Sequence, residues 1–300
     1  MDLSVIILGT NAALPTKDTI TSAQLIQTNH NLYLIDCGEG TQIKMQQHAI
    51  KKNKIRAVFI SHLHGDHIFG LPGLLTSFLY SQRKEPLQIF GPPGIKAYIE
   101  TVLSLSASYI LYDLMIYEIT DVDTFRYEDE LITVSAIPLQ HRIQTIGYIF
   151  REKTRFNILP EVIDKYNLTY EEIKALKRGE SIRMDSIPVH PNNNTTVLHP
   201  VRSYAYCSDT IYDESLPQRL AGVNTLYHES TYLHALKKQA DERMHSTSHD
   251  AALTAKNAGV DKLILGHFST RYTDLNPLLE EARSVFNNVI LAREGLEIAI

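Results

Sequence analysis

Three imidazoles and a carboxylate fall within six positions: His62-Leu63-His64-Gly65-Asp66-His67. Neutral imidazole nitrogen and carboxylate oxygen form a donor set that suits zinc and its first-row neighbours. The hexapeptide follows the apolar run Ala57-Val58-Phe59-Ile60, which reads as a buried strand. At a strand end the chain turns, so the alternate residues His62 and His64 can face one cation. Asp66 and His67, further round the turn, can face a second. With 13 histidines in 300 residues, three in one hexapeptide point to a metal centre rather than a polar loop.

Four later residues sit where such a centre could recruit them. His141 follows a strand in Pro138-Leu139-Gln140-His141, Asp209 ends Tyr206-Cys207-Ser208-Asp209, and His267 ends Leu263-Ile264-Leu265-Gly266-His267. His245 opens a helix in His245-Ser246-Thr247-Ser248. A lone histidine after a strand is more often structural than a ligand, but α/β folds build their sites at strand ends and helix starts. A carboxylate such as Asp209 can bridge two ions about 3.5–4 Å apart. The expected allocation is His62, His64 and His141 on one ion, and Asp66, His67 and His267 on the other, with Asp209 between them. His30, His48, His190, His199, His234 and His249 lack such a setting and read as structural or exposed.

These residues need a scaffold, and the chain supplies alternating strands and helices. The spacing predicts strands at Val5–Leu8, Ala23–Gln27, Leu32–Ile35, 57–60, Leu87–Phe90, 114–118, 131–137 and 146–150, with helices near 42–48, 70–81 and 95–105. Later strands are expected at Tyr204–Cys207, Thr225–Tyr227, Leu263–Leu265, 289–291 and 296–299, with helices at 248–258 and 274–286. Two groups of strands with interspersed helices suit two sheets packed face to face, helices outside. From about 151 to 200 the strand pattern weakens. Arg151, Lys153, Arg155, Lys165, Lys174, Lys177, Arg178 and Arg183 are scattered among acids there, and Pro191-Asn192-Asn193-Asn194-Thr195-Thr196 reads as a loop. A stretch of that length inside a β-rich chain reads as an inserted arm on a single 1–300 domain, and its exposed cations could contact phosphate.

Composition sets the outer limits. The chain is 44% hydrophobic and 21% charged, with net charge −5. That is an ordinary globular profile, without a global basic signal for nucleic acid, although local patches matter more than totals. Cys37 and Cys207, the only cysteines, lie beside apolar runs and suit buried thiols in a reducing compartment. The first residues carry no basic segment ahead of their short apolar run, and no run nears 18 apolar residues. The expectation is a cytoplasmic protein with no membrane association.

With the hexapeptide extended through Ile68-Phe69-Gly70-Leu71-Pro72-Gly73-Leu74-Leu75, the chain resembles the metallo-β-lactamase superfamily, and within it the ribonuclease Z family, the tRNA 3′-processing endonucleases. The segments that carry the likeness run nearly end to end: 9–15, Leu34 to Gln42, His141 ahead of Gly147-Tyr148, Ser208-Asp209-Thr210, His228-Glu229-Ser230-Thr231, His245-Ser246-Thr247 and His267 to Tyr272. The resemblance implies an α/β fold, the αββα four-layer sandwich, with metals at one edge of the sheets and an inserted tRNA-binding arm at about 151–200. It further implies two zinc ions in the allocation above, with manganese or cobalt as possible substitutes, a homodimer, and precursor tRNA as partner. Leu176-Lys177-Arg178-Gly179-Glu180-Ser181 resembles the return strand of the family's arm. Two departures stand out: Asn167-Leu168-Thr169-Tyr170 replaces a Gly-Pro pair, and Tyr206-Cys207-Ser208 replaces a glycine ahead of the bridging aspartate.

The implied chemistry is attack of water on a phosphodiester, leaving a 3′-hydroxyl upstream and a 5′-phosphate on the trailer. Asp66 is expected to be both ligand and proton acceptor. His245 is expected to stabilise the transition state or protonate the leaving oxygen, with Glu229 orienting it. Ser246, Thr247 and Arg271 are candidate phosphate binders, as are Lys174, Lys177 and Arg178 on the arm. The competing reading is a phosphodiesterase of the same fold acting on small or cyclic nucleotides, which has no use for an arm. Hydrolysis of thioesters or lactams, di-iron redox chemistry and a non-catalytic role fit the motifs less well.

Overall fold

Hydrophobic alternation decides which face each strand buries. Val58 and Phe59 are neighbours in sequence and point to opposite faces of one sheet, as a two-residue period requires. The computed structural model describes every residue except 1, 2, 155, 185, 186, 192–195 and 199. Arg155, His199 and residues 192–195 of the expected loop therefore lie outside the described residues.

The chain begins with β1 (Ser4–Gly9), β2 (Ala23–Gln27) and β3 (Leu32–Ile35), then α1 (Thr41–Gln47), β4 (Ile55–Phe59) and the short α2 (Gly65–Ile68). Next come α3 (Leu71–Tyr80), β5 (Leu87–Gly91), α4 (Ile95–Leu105), β6 (Leu114–Glu118), β7 (Arg126–Glu128), β8 (Ile132–Leu139) and β9 (Thr145–Glu152). Then follow β10 (Phe156–Ile158), α5 (Pro160–Tyr166), α6 (Tyr170–Lys177), β11 (Ile182–Met184), β12 (Ile187–Val189) and β13 (Thr196–Leu198). The last third holds β14 (Ser203–Cys207), α7 (Leu216–Arg219), β15 (Thr225–Glu229), α8 (Lys237–Glu242), α9 (Ser248–Ala258), β16 (Lys262–Gly266), α10 (Asn276–Arg283), β17 (Val289–Leu291) and β18 (Glu297–Ala299).

Two seven-stranded sheets organise these strands, in the orders β18-β1-β2-β3-β4-β5-β6 and β17-β16-β15-β14-β9-β8-β7. β3 to β6 run parallel, as do β14 to β17, while β18, β1, β2 and β3 pair antiparallel. The inner faces meet through an aromatic cluster around Phe59, whose ring lies 5.2 Å from Phe150 and 5.3 Å from Tyr148. The outer face of the first sheet, including Leu25, Leu34, Val58 and Ile89, is covered by Met45, Leu74, Phe78, Ile95 and Ile99 from α1, α3 and α4. On the outer side of the second sheet, α9 packs against β15 and β16 and is flanked by α7 and α10. This is the expected αββα layering. Among the described residues no helix is long and apolar enough to cross a membrane.

Residues 1–127, 134–150 and 203–300 form one compact unit, and residues 128–133 with 151–202 form a second. The second has its own apolar cluster of Ile158, Val162, Leu168, Leu176 and Val189. Its two helices are separated by a tight turn. Asn167 caps α5 in the left-handed region at φ 45°, and Thr169 with Glu172 forms a capping box that starts α6. Here the structure corrects the sequence reading: Leu176 and Lys177 are the end of α6, not a return strand, and strand begins again only at Ile182. The run Glu171-Glu172-Ile173-Lys174-Ala175-Leu176-Lys177 consists of good helix formers behind a good cap, and that local preference prevails.

Candidate metal centre

Asp36, just past β3, organises the turn that carries the hexapeptide. It adopts φ 55°, a left-handed conformation uncommon outside glycine. Its carboxylate accepts from the Ser61 amide at 2.7 Å, the Ser61 hydroxyl at 2.8 Å and the Tyr206 hydroxyl at 2.8 Å. It also binds His67 Nδ1 at 2.7 Å. With its proton given to Asp36, the Ser61 hydroxyl accepts from His62 Nδ1 at 3.0 Å. Both rings therefore carry hydrogen on Nδ1 and present a bare Nε2. The backbone closes the turn: Cys37 donates to the His67 carbonyl at 2.7 Å and Gly70 to the Cys37 carbonyl at 2.9 Å. A side chain at position 70 would come within 2.2 Å of the Gly38 carbonyl oxygen, so only glycine allows this approach.

The later residues arrive from the second sheet. Asp209 and His267 follow β14 and β16 with φ of 58° and 54°, again left-handed. Strained backbone of this kind concentrates at functional sites. His141 Nδ1 donates to the Met244 carbonyl at 2.8 Å. His267 Nδ1 donates to Thr231 Oγ1 at 3.0 Å, and that hydroxyl donates on to Glu229 at 2.5 Å. These rings too point a bare Nε2 inward.

All seven expected ligands come together in two sets. His62, His64, His141 and Asp209 offer donor atoms within 4.8 Å of one another, as do Asp66, His67 and His267. Asp209 divides its oxygens between them. Oδ2 lies 3.6 Å from His62 Nε2 and 3.7 Å from His141 Nε2, whereas Oδ1 lies 3.3 Å from His67 Nε2 and 3.1 Å from His267 Nε2. Asp66 Oδ2 is 3.5 and 3.6 Å from the same two nitrogens. Four donors about 2.0–2.1 Å from a tetrahedral zinc are separated by roughly 3.3–3.4 Å, and these spacings cluster there.

Two further observations fit a cation. His67 Nε2 and His267 Nε2 are buried without a hydrogen-bond partner, a costly state for a polar atom unless something else occupies its lone pair. The centre also carries excess negative charge, since no lysine or arginine pairs with Asp36, Asp66 or Asp209 among the described residues. Burial opposes the charge on Asp209, yet the His267 and His67 rings outweigh it and hold the carboxyl well below its ordinary range. Burial likewise opposes charge on Asp66, and His67 and His267 again prevail. On His67, burial is outweighed by Asp209, Asp36 and Asp66, which draw positive charge to that position. His62 stays neutral because burial and the neighbouring His67 disfavour its protonation.

Beside the candidate ligands stands a second pair. Glu229, fully buried at the end of β15, accepts from His245 Nδ1 at 2.9 Å and from the Thr210 amide at 2.8 Å. His245 precedes α9, whose N-cap is Thr247, so it lies three residues before the helix rather than opening it. Its ring centroid is 5.0 Å from that of His141 and 5.6 Å from that of His267. Burial disfavours charge on this ring, but Glu229 more than offsets it and raises the imidazole to about 9.

The expected phosphate binders fare differently. Ser246 and Thr247 are fully buried: Ser246 donates to the Thr210 carbonyl at 2.6 Å, and Thr247 accepts from the Asp250 amide at 3.1 Å. They hold His245 in place and have no surface to offer a phosphate. Arg271 lies over the Tyr232 ring and donates to Ser269 and Gln239. Arg142 and Arg243 line the cleft that the candidate metal ligands also line. In the second unit Lys174 pairs with Glu171 at 3.6 Å and Arg178 with Glu180 at 2.6 Å, both on the surface, while Lys177 has no ion pair among the described residues.

A family model described as "Anti-Pycsar protein Apyc1" matches residues 3–156. Across the whole chain the likeness is more specific. The protein is 39% identical to "Ribonuclease Z" of Bacteroides fragilis (strain YCH46) over 297 residues, covering 98% of each chain. It is also 39% identical to "Ribonuclease Z" of Porphyromonas gingivalis (strain ATCC BAA-308 / W83) over 301 residues, again covering 98% of each. The chain belongs to the ribonuclease Z family. Among solved structures, the short form of human tRNase Z superposes with a TM-score of 0.72 at 26% identity, covering 99% of both chains. The metallo-β-lactamase fold protein YhfI of Bacillus subtilis superposes equally well, at 0.72, with 19% identity and full coverage of both chains. The family and fold inferred from the hexapeptide and its companion segments are those the comparisons give. As a ribonuclease Z family member the protein is an endoribonuclease, a metal-dependent hydrolase of phosphodiester bonds.

Proposed function

We propose that this protein removes the 3′ trailer from precursor tRNA, leaving a 3′-hydroxyl on the tRNA and a 5′-phosphate on the trailer. The observation that carries the reading is the divided carboxylate of Asp209, with one donor set facing each oxygen. Two zinc ions are the reading for these sets, one held by His62, His64 and His141 and the other by Asp66, His67 and His267, with Asp209 shared. Manganese or cobalt suits the same nitrogen and oxygen donors. When bound, such ions supply Lewis acidity that eases deprotonation of water and offsets the charge growing on a phosphodiester.

The chain's own residues do the rest. Asp66 is fixed by the Ala13 amide, which donates to Oδ2 at 2.8 Å. It accepts the proton released by the attacking water on its other oxygen. The water oxygen bonds to phosphorus as the bond from phosphorus to the 3′ oxygen breaks. His245, held by Glu229 through Nδ1, gives that leaving oxygen a proton from Nε2. Bare Nε2 atoms on His62, His67, His141 and His267 are kept bare by donors locked on the far side of each ring.

The family resemblance also supports a homodimer, a cytoplasmic location and a role for the unit at about 151–200 as a grip on folded tRNA, with Lys174, Lys177 and Arg178 among its contacts. Incubating the protein with an unprocessed tRNA transcript and mapping both new ends tests the reading. The expected products are a tRNA ending in a 3′-hydroxyl and a trailer beginning with a 5′-phosphate. Cleavage of 2′,3′- or 3′,5′-cyclic nucleotides with no cut in the transcript overturns it in favour of the small-nucleotide phosphodiesterase.

A further inference from the structure

The metal ligands open into a cleft of about 720 Å³. Its floor is polar, yet its wall carries two large apolar side chains without cover, Phe69 at 64% exposed and Leu14 at 63%. Scattered exposed apolar residues are ordinary. These two share the mouth of one reactive cleft, and the same backbone that holds the metal ligands holds them there.

The ring of Phe69 lies against the backbone of Gly65, the residue between His64 and Asp66. A Cβ at position 65 would come within 2.2 Å of the ring's Cε2 and 2.4 Å of Cζ. The aromatic face is thus anchored one residue from two ligands, with no side chain between. Leu14 follows Ala13, a non-glycine residue at φ 62° that is tied to Asp66 through its amide. A left-handed alanine costs energy, and here its anchor is a metal ligand. Arg142 and Arg243 bring positive charge to the same cleft, which Glu39 also lines.

We propose that Phe69 is a stacking platform for a base adjoining the scissile phosphate. The inference rests on the phosphodiester-cleavage reading above and adds a positioning residue to it. An exposed ring offers a flat apolar face and no hydrogen-bonding group, so it grips a base without reading its edge, and every base has a face to offer. Because the ring is seated on Gly65, a base stacked on it places its attached phosphate over the centre formed by His64 and Asp66. Arg142 and Arg243 then meet flanking phosphates, where charge attraction is independent of sequence. Leu14 closes the far side of the slot against water. The arrangement favours cleavage of splayed, single-stranded RNA, since a base held in a duplex stack cannot also lie on Phe69.

The test uses the metal-loaded protein and short RNAs carrying 2-aminopurine either 5′ or 3′ to the cleavage position. Stacking quenches this fluorophore. One of the two RNAs is expected to be quenched on binding wild-type protein and Phe69→Tyr, but not Phe69→Ala or Phe69→Leu. In parallel, kcat/KM on normal RNA falls about 10- to 100-fold in Phe69→Ala, recovers in Phe69→Tyr and Phe69→Trp, and is the same for wild type and Phe69→Ala when that nucleotide is abasic. Thermal melting of each variant separates misfolding from impaired stacking, and the tyrosine and tryptophan variants keep the proposal open to disproof if alanine unfolds. Quenching that persists in Phe69→Ala at both positions, or an equal loss on normal and abasic RNA, overturns the proposal. Failure of wild-type protein to cut precursor tRNA, with Phe69-dependent quenching intact, overturns the processing reading and leaves the platform standing.

Discussion

Asp36 contacts no proposed substrate, yet it fixes more of the site than any single ligand. One buried carboxylate receives Ser61, His67 and Tyr206, and through Ser61 it also settles the tautomer of His62. Asp36→Asn keeps the shape but puts donors where acceptors are needed, so His67 loses the partner that holds its Nε2 bare. Metal affinity is expected to fall about 10- to 100-fold, read by zinc competition with a chromophoric chelator. Glu229→Gln acts on the other side of the site. The carboxylate keeps His245 protonated up to about pH 9, so the proposed proton donor is present at neutral pH and is lost as pH rises through that value. In the glutamine variant the alkaline fall in kcat should move to lower pH, and kcat at neutrality should drop about 10- to 100-fold with KM little changed. An unmoved alkaline limb would show that His245 does not titrate in the rate. The seven candidate ligands are legible in the sequence because four share a hexapeptide and the others end apolar runs. Asp36, Arg142 and Arg243 are not, since their roles depend on partners that the fold alone brings near, such as Tyr206, 170 positions from Asp36. Ser246 and Thr247 mislead because hydroxyls beside a candidate catalytic histidine look like phosphate binders, and burial is invisible in sequence.

At the scale of elements, strong periodicity makes strands and long helices readable to within two or three residues, and tertiary packing sets the ends. The predicted helix 274–286 shortens to Asn276–Arg283, and the strand at 57–60 begins earlier, at Ile55. Between 151 and 202 the elements are short and local rules dominate. The capping box at Thr169 and Glu172 is visible in the sequence, but likeness to a return strand points the other way. Thr169→Ala removes one side-chain acceptor for the Glu172 amide, and removal of such a cap costs about 1 kcal/mol. Faster amide exchange is expected across residues 170–177, with the protection of β14 to β17 unchanged. Equal protection in variant and wild type would mean that the apolar cluster around Leu176, rather than the cap, holds the helix.

For the whole molecule the tension is charge. The chain carries a net −5, while residues 151–202 hold nine basic and seven acidic residues, a local surplus of two positive charges. Lys174 and Arg178 direct part of theirs to surface partners, and exposed pairs of this kind are worth little and exchange readily for phosphate. If this unit grips folded tRNA, excising it should separate affinity from chemistry. The excision is practicable because its chain ends meet: the Glu152 amide donates to the Arg202 carbonyl at 2.9 Å, and the Arg202 amide donates to the Glu152 side chain at 3.2 Å. Replacing residues 155–199 by a short glycine-serine turn therefore leaves that closure intact. Precursor-tRNA binding should weaken, and the slope of log K against log salt should shrink by about 0.9 for each phosphate that is no longer neutralised. Hydrolysis of bis-p-nitrophenyl phosphate should persist, since all seven metal-ligand candidates lie outside the excised stretch. An unchanged salt slope with tRNA cleavage intact would make the unit a passenger and shift the source of affinity to Arg142 and Arg243 at the cleft.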